Sequence, residues 1–477
     1  MTTVATLGSY SGWTAIGDYR ADAEYYRPEH REFFDSLTSV PHRRLGQIAK
    51  MRRPQYRTTC AYDPGKLPNG IKFLSPTEVV NQWVDWSVVR EVASSVWDDY
   101  PAGRATKGDL LLEVKGDATK VHLLDDIIPA KTMISGSFQQ IRLKVEQQEW
   151  YVYAVFLSGV WRRQRQRLQS NINIKYVDKE ALLTVILPWP DDAIRASIGH
   201  KVRSAERLRA AAESRVRGAI QELETSLGWP IPLDRSQTSV TPATQLGRRI
   251  DPLPYLPRYA AVQELIRRRG GKSFRAMDVA TVNGFENRDF VKKGRPYLLV
   301  GNVDAWHFTD PADWVKIPTS SRVPNRAIPQ VGDLLCVRTG PVGQLMSWEA
   351  DYGSAVVGGD WVKLRGDEEK GFDATYFALV AQTGLWPLVV DTIRYGAVHP
   401  KVSQDDLLDL EMPLVGTELS MDLSERYRRS LSEKFRAKRL SDAAITDVEN
   451  LIDGKLDEAA CIAEGRKLAD EFGLEVP

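Results

Sequence analysis

The chain has 477 residues, a formal net charge of +1, 27% charged and 43% hydrophobic residues. That is ordinary globular chemistry with enough length for two to four domains, and it excludes a disordered chain and a uniformly basic nucleic-acid coat. No apolar run reaches the ~18 residues a membrane-spanning helix needs, MTTVATLGSY has no signal-peptide character, and three scattered cysteines suit a reducing cytoplasm.

In chain order, RADAEYYRP (20–28) opens a first module with Arg20, Asp22, Tyr26 and Pro28. Arg20 and Asp22 read as an ion pair or cap. Between His42 and Thr58 stand Arg43, Arg44, Lys50, Arg52, Arg53 and Arg57, with no acid among them. Strands are predicted at GIKFLS (70–75), WSVVREV (86–92), DLLLEV (109–114) and WYVYAVFL (150–157), between turn residues. Between Trp150 and Val177 lie Arg162, Arg163, Arg165, Arg167 and Lys175, again without an acid, and with Gln169, Asn171 and Asn173 close by. Basic clusters of this kind neutralise phosphates and release counterions. Amide side chains beside them are able to read base edges.

The first module spans 1–190. A helix is predicted over 191–228, with Ile194, Ile198, Val202, Ala205, Leu208, Ala212, Val216, Ile220, Leu223 and Leu227 at steps of three and four. That narrow stripe is a coiled-coil seam, and Gly228 stops it. Residues 229–248, rich in Pro, Ser and Thr, read as a linker. A second module follows over 249–416. A second long helix runs over 417–454, with Leu423, Tyr427, Leu431, Phe435, Ile445, Val448 and Ile452 inward, and a helical tail over 455–477. Two long helices, each with one narrow stripe, bury it most simply against each other, and the connectivity makes the pairing antiparallel.

The second module repeats the first. RIDPLPYLP (249–257) matches RADAEYYRP, VGDLLCVRTG (331–340) matches KGDLLLEVKG (107–116), and VSQDDLLDLEMP (402–413) matches VDKEALLTVILP (177–188). Three matches in the same order mean one module used twice. A reader of two similar things explains that better than one buried active site. The expected fold is α+β: two mixed α/β modules separated by two long antiparallel coiled-coil helices, with a pseudo-twofold internal repeat. DNA-facing candidates in the second module are Lys292, Lys293, Asn302, Arg338, Thr339, Arg394, Tyr395 and Lys401; in the first, Lys115 joins the residues above. Plainer readings stand beside these. Arg338 could pair with Asp333 or Glu349, Tyr395 could simply pack, and His307 and His399 lack a second ligand at metal spacing.

GRPYLLVGNV (294–303), GDLLCVRTGPVGQ (332–344), VGGDWVKLR (357–365) and YGAVHPKVSQDDLLDLEMPL (395–414) resemble signatures of the specificity (S) subunit of type I restriction–modification systems. The likeness covers nearly the whole chain. The first module is more divergent, keeping GDLLLEVKG and NINIKYVDKEALLTVILP (171–188) but no clear partner for Gly301–Asn302. The resemblance implies two target-recognition modules, each reading half of a bipartite double-stranded DNA site, and helices that set the spacing. It implies no catalysis and no cofactor in this chain. S-adenosylmethionine, Mg²⁺ and ATP would belong to partners: methyltransferase subunits, two of them, with a restriction or translocase subunit as a further partner.

Enzymatic alternatives have weaker footing. There is no Gly-rich cofactor loop with an Asn/Asp-Pro-Pro-aromatic tetrad, and GGKS (270–273) lacks the Gly of a phosphate-binding loop. A metal-dependent nuclease could use Asp109, Glu113 and Lys115. Yet the matching strand of the second module reads Cys336-Val337-Arg338, without the acid. A DNA-binding scaffold outside restriction is the third class.

Overall fold

The computed structural model describes residues 27–54, 61–80, 82–169, 175–242, 253–396 and 398–474. Arg20, Asp22, Tyr26, Arg249 and Asp251 lie outside the described residues, as do Arg57, Asn171 and Asn173. The chain divides into two compact units, Met1–Arg207 with Ala437–Pro477, and Leu208–Arg436.

In the first unit a four-stranded antiparallel sheet runs in the order Ala49–Arg52, Phe138–Leu143, Leu110–Glu113, Val121–Leu123. A second four-stranded sheet is built on the parallel pair Ile71–Leu74 and Thr132–Ile134. His42–Arg44 pairs with Ile186–Pro188, joining the start of the module to its end. The second unit repeats this plan. Its main sheet runs Ala280–Asn283, Trp361–Arg365, Leu334–Val337, Leu345–Ser347, also antiparallel. Its parallel pair is Arg295–Leu298 with Val356–Val357, and Lys272–Ser273 closes on Glu411–Met412.

The repeat extends to single side chains. The Gly-Asp turn before each Leu-Leu strand places glycine at positive φ, 84° at Gly108 and 88° at Gly332, where a Cβ is disfavoured. The following aspartate is buried in both units. Asp109 accepts from Arg142 Nε at 2.7 Å and Nη2 at 2.8 Å, and Asp333 from Arg365 at 2.6 and 2.7 Å. Tyr151 donates its hydroxyl to the Pro188 carbonyl, and Tyr376 to that of Pro413.

WYVYAVFL is not a strand. Glu149–Leu157 is an α-helix, buried from Tyr151 through Phe156. Apolar on every side, it carries no periodicity that separates a buried helix from a buried strand. In the second unit Ala374–Val380 takes its place. Of WSVVREV only Glu91–Val92 is a strand, while Ile71–Leu74 and Leu110–Glu113 form as expected.

The long helices are Asp192–Leu227 and Thr417–Ile452, and Glu458–Phe472 forms the tail helix. Their pairing is antiparallel. In the second unit Arg215 meets Glu433 and Arg426 meets Glu222, so seven steps up one helix match seven down the other. The stripe there, Leu208, Ala212, Val216, Leu223 and Leu227, is buried with Leu423, Tyr427, Leu431 and Phe435. In the first unit Ile194, Ile198, Val202 and Ala205 are buried, and Lys201 Nζ reaches Asp447 at 2.6 Å. Here the expectation for Ile445 needs correction. Ala444, fully buried, holds the inward position and Ile445 is only partly buried. A small alanine does not stand out in a hydrophobic pattern, although the seam needs small residues where backbones come close.

Candidate nucleic-acid interface

Each unit brings some of its sequence-predicted residues to the same topological place: the end of the Gly-Asp-Leu-Leu strand, where it meets the segment before the last short helix. In the second unit Thr339 and Tyr395 each bridge to Lys401 through the backbone. Val402 N–H donates to the Arg338 carbonyl, 3.1 Å. Tyr395 is 45% exposed, and Lys401 and Arg394 are exposed beside it. Arg394 forms an ion pair with Asp391 at 2.8 Å. Arg338 does not take the buried aspartate: Asp333 is held by Arg365, while Glu349 accepts from Thr375 and faces Arg428.

In the first unit Lys115 bridges to Tyr176, and Val177 N–H donates to the Val114 carbonyl, the counterpart of the Val402 bond. Lys175 pairs with Asp117 at 3.1 Å, and Gln169 Nε2 donates to the Asp117 carbonyl. Arg165 stands close by. Burial pushes its guanidinium below the usual arginine range; Asp117 and Glu113 oppose the shift and Arg162 adds to it. Its Nε is buried without a hydrogen-bond partner among the described residues.

Other candidates also make structural contacts. Arg53 donates to the Gly136 carbonyl and the Tyr176 hydroxyl and lies over the Tyr176 ring at 5.1 Å. Arg52 donates to Gln140 and to the Arg104 carbonyl. Arg163 and Arg167 stack over Phe33 and Phe34 at 4.8 and 4.6 Å, packing the Gly159–Leu168 helix on Pro28–Ser39. Asn302 Oδ1 caps a short turn by accepting from Leu299 N–H at 2.8 Å. Arg162 stays exposed.

Lys292 and Lys293 stand apart from the Lys401 cluster in sequence, on an exposed loop. Arg288 and Arg295 flank them and are exposed too. They were not singled out in the sequence, although RDFVKKGR (288–295) has four cations and one acid.

The carboxylates of the nuclease reading are occupied. Asp109 is fully buried on Arg142, Gln140 and Thr106, and Glu113 Oε2 accepts the backbone N–H of Thr119 and Lys120. Among the described residues no three His, Cys, Asp or Glu side chains gather as a metal site, and no helix is long and apolar enough to cross a membrane.

No protein-family model matches the sequence, and no curated protein matches it. Solved structures do. The type I restriction–modification S subunit from M. genitalium is 10% identical over 89% of this chain and 95% of that chain, with a TM-score of 0.41. A structure of a type I restriction–modification system, described in terms of complex assembly and conformational transition, is 14% identical over 87% and 99%, TM-score 0.29. The HsdS subunit from Thermoanaerobacter tengcongensis is 14% identical over 87% of this chain and 97% of that chain, TM-score 0.28. The chain is thus similar, over nearly nine-tenths of its length, to S subunits of type I restriction–modification systems.

Proposed function

We propose that the chain is the DNA sequence-specificity subunit of a type I-like restriction–modification or methylation-associated defence complex in the cytoplasm. One observation carries this reading: a single fold is built twice, and each copy presents cations and hydrogen-bonding side chains at the same strand end. Two copies of a reader suit a bipartite duplex target. Within each copy, Lys115 and Lys175, or Lys401 with Lys292 and Lys293, neutralise phosphates. In this reading Tyr395, Thr339 and Gln169 approach base edges. The chain performs no chemistry in this reading. Two methyltransferase subunits dock on it and bring S-adenosylmethionine; a restriction or translocase subunit brings Mg²⁺ and ATP. The occupied state of Asp109 and Glu113 weighs against a nuclease of its own.

Methylome sequencing with and without the gene tests the proposal. A bipartite modified motif that disappears on deletion is expected. An unchanged methylome in a strain whose neighbouring methyltransferase is expressed would remove this reading.

A further inference from the structure

The loop between Phe285 and Val291 in the second unit has a fixed root and an apolar tip. Backbone bridges anchor both ends, Phe285 to Gly358 and Val291 to Lys316. Between them, the Tyr297 hydroxyl donates to the Phe285 carbonyl and accepts from Asn287 N–H at 3.3 Å. Asn287 Oδ1 accepts from Asp289 N–H at 2.7 Å, and its Nδ2 donates to Ser321 Oγ at 3.4 Å. The return of the chain depends on Gly294, where a Cβ would lie 2.0 Å from the Ile317 carbonyl oxygen. With the root so held, the tip is left half exposed: Phe290 is 47% exposed and Val291 38%.

The unit buries Trp306, Trp314, Trp348 and Trp361, yet leaves Phe290, like Tyr395, about half exposed, its ring 6.1 Å from that of Tyr297. Four cations, Arg288, Lys292, Lys293 and Arg295, stand on or beside this loop, with the carboxylates of Glu286, Asp289 and Asp360 also close to it. Arg288, Lys292, Lys293 and Arg295 are all exposed. Beside the ring is an open hollow of about 270 Å³, lined by Phe290, Tyr297, Arg288, Gly358, Gly359 and Asp360. Cations around an apolar tip match a polymer whose outside is phosphate and whose inside is stacked rings. Proteins that bind the minor groove use Arg and Lys there and frequently insert an apolar side chain such as Phe between base steps.

We infer that Phe290, backed by Val291, is a wedge that enters the base stack of duplex DNA, while Lys292, Lys293, Arg288 and Arg295 hold the flanking phosphates. This rests on the specificity-subunit reading and adds a mode of recognition to it: sequence sensed through how readily a base step unstacks, at positions with no hydrogen-bond readout. The matching segment of the first unit, 53–70, lies partly outside the described residues.

The test uses the full chain, with its methyltransferase subunits where they co-purify, and a fluorescent random-sequence duplex titrated over a range of salt. Lys292→Ala/Lys293→Ala should flatten the slope of log K against log salt by about 2, near 0.9 per lost phosphate contact. Phe290→Ala should lower affinity about tenfold at unchanged slope, as removal of a stacking aromatic does, and Phe290→Leu should retain part of it. Phe290→Trp should bind, with its indole emission quenched by the duplex. Wild-type affinity in Phe290→Ala, with the slope change of the lysine variant intact, would overturn the wedge and leave DNA recognition standing. Loss of methyltransferase co-purification instead of DNA affinity would overturn it in favour of a protein interface. If the wild-type complex bound no duplex at any salt, the wedge and the specificity-subunit reading would fall together.

Discussion

At the scale of single residues, the duplication sets up a comparison the molecule has already made. Asp333 is 1% exposed beside Arg365 and the nearly buried Lys363, whose Nζ lies 3.6 Å away. Burial pushes the Lys363 ammonium below its usual value and Asp333 opposes that. The first unit places a neutral Gln140 in the same strand position, donating to Asp109 at 2.6 Å. Asp333→Ala should therefore destabilise the second unit by about 3–5 kcal/mol, because it strands a buried cation. Lys363→Gln should cost no more than about 1.5 kcal/mol, since an amide already serves this position and a neutral hydrogen bond nets about that much. Urea midpoints of both variants check this, and equal losses would show that the buried charge is not the cause. The Gly-Asp-Leu-Leu repeat was legible in the sequence. The arginine each aspartate takes was not, because Arg142 and Arg365 lie on a strand that only the sheet brings alongside. For the same reason Arg338 looked like a partner for Asp333 and is not.

At the scale of elements, long periodic segments were readable and short apolar ones were not. Both long helices appear where their stripes place them, since 3.6-residue periodicity accumulates over many turns. The Glu149–Leu157 helix has no polar face, so its sequence suits a strand equally well. The tail helix Glu458–Phe472 shows how closely such elements approach. A Cβ on Gly465 would lie 2.3 Å from the Ser197 side chain and 2.5 Å from its Cα. His200 bonds the Gly465 carbonyl at 3.2 Å, and Lys201 pairs with both Asp447 and Glu464. Backbone approach this close leaves no room for a methyl. Gly465→Ala should cost about 1–3 kcal/mol as an overpacking change and release residues 458–472 first. Hydrogen exchange across that helix is the measurement. Unchanged protection there would show that the approach is not tight in solution.

At the scale of the whole molecule, two units of matching topology predict separable readers. Exchanging residues 249–416 for the corresponding module of a related chain should alter one half of the modified motif and leave the other. Methylome sequencing of the chimaera reads this directly, and a change in both halves would contradict modular recognition. The matching strand orders of the main sheets and the paired Tyr–Pro bonds, Tyr151 to Pro188 and Tyr376 to Pro413, make the exchange physically reasonable, since each module closes on itself. The cationic candidates show the limit of sequence reading at this scale. Lys115, Lys175, Lys292, Lys293 and Lys401 remain at the surface, Lys175 beside Asp117, whereas Arg53, Arg163 and Arg167 pack against aromatic rings.

By itself the sequence determined the duplication, the long amphipathic helices, their antiparallel pairing and the Gly-Asp turns. Each depends on the order or spacing of residues along one stretch of chain, or on the connection between two. The tertiary structure decided which cations lie over aromatic rings, which strand supplies each aspartate's arginine, that Ala444 and not Ile445 faces inward, and that Phe290 is left half exposed beside Tyr297. Those outcomes depend on neighbours distant in the chain: a guanidinium over an aromatic ring is structural and the same group over solvent is available, and only packing distinguishes them.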